Sequence, residues 1–270
     1  MVISVCFFSD EVSPDFGESL RLGRAAGAES VELRSRLFGK RVDQLNAGEL
    51  RQIRGLLAGE GLACAIIASS FGKCDLDSDE QWREHEEILR GSIAAAHALE
   101  TDLVRCFPFW TPSRQDLPRP DLDANLGRIV ERLGWAVEVA EREGVVLCLE
   151  TEAATYSGSC AEVDAITRAL GPSPAVAIAW DVNNAWLAGG EDPVAVGYPL
   201  LRDRVRHLHI KPNGDGSLAT IADSVRSYGE LLSLFAISGY EGAASIEHWG
   251  SSEAMLAGIR QLCRLRNDLS

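Results

Sequence analysis

Four residues of this chain have the types and the spacing of a metal site: Glu150, Asp181, His209 and Glu247. Glu150 ends the apolar run VVLCLE (145–150), Asp181 follows AVAIAW (175–180), His209 lies in VRHLHI (205–210) and Glu247 ends GAASIE (242–247). Successive members are 31, 28 and 38 residues apart, each interval about one strand plus one helix. Three carboxylates and one imidazole suit a single divalent ion: Mn2+, Mg2+, Co2+ or Zn2+. Without a cation, three acids at the ends of apolar strands would meet like-charge repulsion and desolvation together. One such acid alone is more often a helix N-cap or a solvated loop residue. Four ligand types on four successive strand ends argue for an ion instead.

Residues so far apart converge only if the elements between them return each strand end to one mouth. Eight short apolar runs recur: VISVCFF (2–8), SVELR (30–34), LACAIIA (62–68), DLVRCF (102–107) and the four runs at 145–150, 175–180, 205–210 and 242–247. Each is strand-length and rich in Val, Ile, Leu, Cys or Ala, as parallel strands buried on both faces are. Segments of helical periodicity separate them at 16–28, 47–61, 81–100, 122–144, 159–171, 223–239 and 251–267, several ending in Gly. The alternation predicts an α/β fold, a single (β/α)8 TIM barrel in one domain over 1–270, whose C-terminal strand ends share one mouth. No GxGxxG follows the first strand, which argues against a dinucleotide site. The stretch PFWTPSRQDLPRPD (108–121), with four prolines, is too long for an ordinary connection and is predicted to lie as a lid over the catalytic face.

Composition narrows the partners. With 46% hydrophobic and 24% charged residues the chain has the apolar mass for a sizeable core. A formal charge of −14 would repel a phosphate backbone, so nucleic acid is not an expected partner. No apolar run approaches the ~20 residues of a membrane span, and the start MVISVCFFSDEVS has no basic region or cleavage site, so a cytoplasmic protein without a membrane partner is expected. The seven cysteines are scattered, and Cys6, Cys64, Cys106 and Cys148 lie inside strand-like runs, a reducing-compartment pattern. No CxxC or Cys/His cluster offers a thiolate zinc site.

The order of short motifs carries a resemblance. SDEVSPDF follows the first strand, VELR forms the second, SSFGK (69–73) follows the third, VRCFPF lies at the fourth, and LETE, WDVNN, HLHIK and SIEHW complete the series. The chain resembles the xylose isomerase-like barrel superfamily, specifically the sugar phosphate isomerase/epimerase group with ketose 3-epimerases, hydroxypyruvate isomerases and inosose dehydratases. The resemblance implies that Glu150, Asp181, His209 and Glu247 bind the metal and that the two glutamates are the acid/base pair. Family members often carry a His three residues beyond the strand-six Asp and an Asp after the HxHxK lysine. Here those positions are Asn184 and Pro212, departures that bear on the substrate and leave the four ligands untouched.

The expected function is a metal-dependent isomerase or epimerase of a sugar or sugar phosphate. A metal bridging a carbonyl and its neighbouring hydroxyl lowers the pKa of the adjacent C–H and stabilises an enediolate. Return of the proton to the opposite face epimerises, and return to the adjacent carbon isomerises. Lys211, expected to share the His209 side of its strand, is a candidate to stabilise negative oxygen or to bridge a ligand carboxylate. His207 is expected to face the side opposite His209. Arg34, Lys73 and Arg105 are candidate binders of a phosphate or carboxylate, Asn184 a candidate substrate contact, and Trp110, Trp186 and Trp249 candidate apolar walls. Glu152 is an alternative ligand, with Glu150 preferred because it ends the apolar run. Other expectations weighed are a dehydratase of a keto-inositol or related polyol, an AP-endonuclease-like phosphodiesterase, which the charge opposes, and a non-catalytic sugar-binding protein. A homodimer is the expected assembly.

Overall fold

The computed structural model describes residues 3–114, 119–214, 216–248 and 250–269. Eight strands form one parallel sheet: β1 (Ser4–Phe7), β2 (Ser30–Leu33), β3 (Ala63–Ile67), β4 (Leu103–Cys106), β5 (Val146–Glu150), β6 (Val176–Asp181), β7 (Val205–Ile210) and β8 (Ala243–Ile246). Their order runs β1, β8, β7, β6, β5, β4, β3, β2. The circle closes between β1 and β2, where Phe8 bridges Glu32 and the Glu29 N–H donates to the Val5 carbonyl at 2.9 Å. This is the predicted barrel.

Helices cover the outside: α1 (Ser9–Val12), α2 (Phe16–Ala26), α3 (Ala47–Glu60), α4 (Asp79–Ala98), α5 (Asp123–Glu143), α6 (Cys160–Ala169), α7 (Val182–Gly189), α8 (Tyr198–Leu201), α9 (Tyr228–Ile237) and α10 (Ser252–Asn267). Their starts are set by local chemistry. Asn46 and Ser159 close capping boxes with Glu49 and Glu162, and Ser227 and Ser251 cap α9 and α10. Gly144 ends α5 in the left-handed conformation, as the Gly-terminated periodic segments anticipate. The helix expected over 223–239 starts later, at Tyr228. The segment between β6 and β7, which has no clear periodicity, holds α7, a π-turn at Pro193–Gly197 and α8, broken at Gly190 and Pro193.

The period-two alternation of the strands sorts the core into two compartments. Outward side chains such as Val5, Leu33, Val104, Leu149, Ile178, Trp180, Leu208 and Ile246 pack under the helices. The inward set low in the barrel is small, with Ile66, Leu103, Cys148, Ala177 and Ala179 forming their own cluster. One step further toward the C-terminal strand ends, the inward positions turn charged: Glu32, Arg105, Glu150, Asp181, His209 and Glu247, all buried.

Candidate functional site

The ladders bring the candidate ligands together. Asp181 stands beside His209 in the β6–β7 pairing, and His209 beside Ser245 in β7–β8, two residues before Glu247. Glu150 ends β5 beside Ala179, two residues before Asp181, and its side chain joins theirs. One ligand atom from each of Glu150, Asp181, His209 and Glu247 falls within 4.8 Å of the others.

Each side chain is held from a second direction. Ser157 donates to the Glu150 carbonyl at 2.6 Å, while the Glu150 carboxylate meets Arg105 Nη1 at 3.1 Å and His209 Nδ1 at 3.2 Å. Asp181 caps α7 through Oδ1, which accepts the Asn184 N–H at 2.8 Å, and its Oδ2 lies 2.7 Å from Lys211 Nζ. The helix-cap reading and the cluster reading of this acid are thus both realised, one oxygen each. Glu247 lies 3.4 Å from both Arg34 and Lys211 and 3.7 Å from His209 Nδ1. Arg34 is itself clamped by both oxygens of Asp10 and by Glu11, from α1 just after β1.

The electrostatics record how strongly this cluster attracts positive charge. Burial opposes ionisation of Glu150, but Arg105 and His209 outweigh it and bring its carboxyl down to about 2. At Asp181 burial wins, helped by the Glu247 charge against Lys211, and its carboxyl rises to about 6. Burial also opposes the charges of His209 and Lys211. The acids around them nevertheless hold both above their ordinary values, Glu32 and Glu150 acting on His209 and Asp181 and Glu247 on Lys211. The donor set fits a divalent ion. Glu150 Oε2, Asp181 Oδ2 and Glu247 Oε2 are buried and accept no hydrogen bond of regular geometry, so they have coordination to offer beyond the nearby Arg and Lys charges.

Above the cluster opens a cavity of about 380 Å³ lined by Glu150, Glu247, Lys211, Arg34, Arg105, Lys73, Asn184 and Glu152, with Arg41 and Asp43 at its rim. Lys73 pairs with Glu152 at 2.9 Å. Asn184 accepts from Lys211 Nζ at 2.9 Å and donates to the Thr151 carbonyl, and the ion pairs of Lys211 with Asp181 and Glu247 realise its salt-bridge alternative alongside its place in the wall. Trp110 and Trp186 do not join this lining. Trp110 faces an adjoining hollow that shares Lys73 and Arg41, and the Trp186 indole donates to Asp223. Trp249 lies outside the described residues. The predicted lid is tied down at its described ends: Trp110 bridges Asp75 and Thr155, and Arg119 holds the Ala153 and Thr155 carbonyls and Glu162.

One expectation is overturned. His207 and His209 do not face opposite sides: residues two apart on a strand share a face, and both imidazoles point inward onto Glu32. Glu32, Asp10 and Glu11 escaped the sequence reading as site residues. The available signal was a Glu inside the apolar run SVELR, two positions before Arg34.

The sequence pattern of the xylose isomerase-like TIM barrel family matches residues 20–266. No curated protein sequence matches the chain. Among solved structures, the probable 3-DHS dehydratase AsbF from Bacillus anthracis, involved in petrobactin synthesis, is similar with a TM-score of 0.76 and 15% identity over 97% of this chain and 99% of its own. A D-tagatose 3-epimerase-like protein reaches 0.74 at 18% identity over 99% of this chain and 100% of its own. A xylose isomerase-like TIM barrel protein from Mycobacterium smegmatis, in complex with magnesium, reaches 0.73 at 18% identity over 100% and 98%. Identities this low establish the shared fold alone. No helix among the described residues is long and apolar enough to cross a membrane.

Proposed function

Because this chain belongs to the xylose isomerase-like TIM barrel family, we propose that it is a divalent-metal-dependent isomerase or epimerase of a sugar or sugar phosphate. The observation that carries this assignment is the meeting of Glu150 and Glu247, from strands three apart in the barrel, in one buried cluster with Asp181 and His209. A cation held by these four would supply the Lewis acidity that makes a C–H beside a carbonyl ionisable.

The chain's own residues divide the remaining work. Arg105 and His209 hold Glu150 close and ionised. The contacts of Glu247 are longer, at 3.4 to 3.7 Å, which leaves its carboxylate freer to take and return a proton, so Glu247 is assigned the first transfer and Glu150 the second. The Lys211 ammonium at the cavity wall offers charge to a developing negative oxygen. A cavity of about 380 Å³ is near the lower end of the roughly 300–1,000 Å³ typical of ligand sites, a size for one small molecule. Its mostly charged lining suits a substrate with many hydroxyls, and Lys73 and Arg41, now paired with Glu152 and Asp43, are the cations that a terminal phosphate or carboxylate would meet.

The test is proton exchange. Mn2+-loaded protein incubated in deuterated water with a panel of ketoses and ketose phosphates should replace one substrate C–H by C–D, read by proton NMR. Glu247→Gln should slow that exchange by about 10²–10⁴-fold. Exchange from no member of the panel would sink the assignment, and net loss of water instead of exchange would move it to a dehydratase.

A further inference from the structure

Glu32 is fully buried on β2, outside the cavity lining, and its carboxylate receives two imidazoles. His207 Nε2 lies 2.9 Å from Oε2, and His209 Nε2 lies 3.1 Å from Oε2 and 3.3 Å from Oε1. An ionised carboxylate has no proton to give, so both rings donate through Nε2. For a neutral His209 this leaves the lone pair on Nδ1, the nitrogen that faces Glu150 at 3.2 Å and Glu247 at 3.7 Å.

We propose that Glu32 is a positioning residue that orients His209, keeping its proton on Nε2 and presenting Nδ1 to the four-residue cluster, and thereby sets the cluster's affinity for a divalent cation. The proposal rests on the four-ligand assignment above. His207 competes for the same carboxylate and has no alternative: its Nδ1 is buried without a partner, so a proton moved there would find no acceptor.

That competition makes the idea testable apart from turnover. In Glu32→Gln the side chain offers one carbonyl oxygen and one NH2 in place of two acceptors. His207 keeps the oxygen, and the NH2 then forces His209 to carry its proton on Nδ1, toward the cluster. Mn2+ affinity, measured by competition with a chelating dye, should fall about 10- to 100-fold. His207→Leu alone should leave it unchanged, because Glu32 still holds His209. Glu32→Gln combined with His207→Leu should recover affinity, because the single amide oxygen is now free for His209. A role of Glu32 in packing alone would give no such recovery. Circular dichroism melts check that each variant folds. Should Glu32→Gln fail to fold, the Mg2+-loaded wild type still decides by proton NMR: a downfield, slowly exchanging imidazole N–H assigned to His209 Nε2 is expected, and a signal from Nδ1 would overturn the proposal. Wild-type affinity in Glu32→Gln, or no recovery in the double variant, would likewise overturn it while leaving the four-ligand assignment standing. Absence of Mn2+ binding by wild type would remove both.

Discussion

Replacing Asp181 by Asn should stabilise the metal-free protein while weakening its hold on a cation. The Asp181 carboxyl is raised from 3.8 to about 6, burial being the largest cause and Glu247 adding to it, so folding disfavours its ionised form. Because the folded pKa lies above the unfolded one, the folded state binds more protons between about 3.8 and 6, and stability falls as pH rises through that window. A shift of about 2 units at about 1.4 kcal/mol each puts the cost near 3 kcal/mol at pH 7. Asn avoids that cost, and its side-chain oxygen can still accept the Asn184 N–H and cap α7, while its NH2 replaces the oxygen 2.7 Å from Lys211 Nζ and offsets part of the gain. A gain of up to about 3 kcal/mol corresponds to roughly 5 °C in Tm for a chain of this length. The assay is differential scanning calorimetry of wild type and Asp181→Asn in EDTA from pH 4 to 8. The wild-type curve should lose stability between pH 4 and 6 relative to the variant and run parallel above. Adding Mn2+ should raise the wild-type Tm and barely move the variant, since a ligand stabilises only the form that binds it. A variant less stable than wild type at pH 7.5 in EDTA, or two profiles parallel across pH 4 to 6, would refute the account of Asp181 as a strained carboxylate awaiting a cation.

Two further outcomes follow from the same geometry. Arg105→Met removes the buried guanidinium 3.1 Å from Glu150. It leaves that carboxylate without its closest cationic partner, and a loss of about 3–5 kcal/mol is expected in urea unfolding at pH 7. Gly72→Ala places a Cβ at φ +86, 1.8 Å from the Phe107 carbonyl. The β3–α4 loop must shift to relieve that contact, so the variant should lose more than about 2 kcal/mol and displace Lys73 next to it.

Much of this protein is legible in the chain alone. Short, continuously apolar runs such as VVLCLE and AVAIAW, alternating with segments of period 3.6, are enough to specify eight strands under a helical coat, because a strand apolar on both faces must be covered on both. The barrel then dictates that strand ends meet, which is why Glu150, Asp181, His209 and Glu247 can be chosen from sequence without knowing a single contact. Local chemistry also fixed where helices begin, as at Asn46 and Ser159, and its ambiguity between β6 and β7 reflects Gly and Pro interrupting any one period.

What the chain could not disclose are the pairings that depend on how far around the barrel two strands stand. Glu32 and His209 are 177 residues apart, as Arg34 and Glu247 are 213 apart. A Glu inside the apolar run SVELR signals a buried acid, but nothing local in it says that this acid receives two imidazoles. The same holds for Trp110 and Trp186, whose positions just past strand ends suited a cavity wall but whose rings meet an adjoining hollow and Asp223. Periodicity decides which face of an element is buried. Only the closed barrel, with its particular strand order and register, decides which buried charges stand within hydrogen-bonding distance of one another.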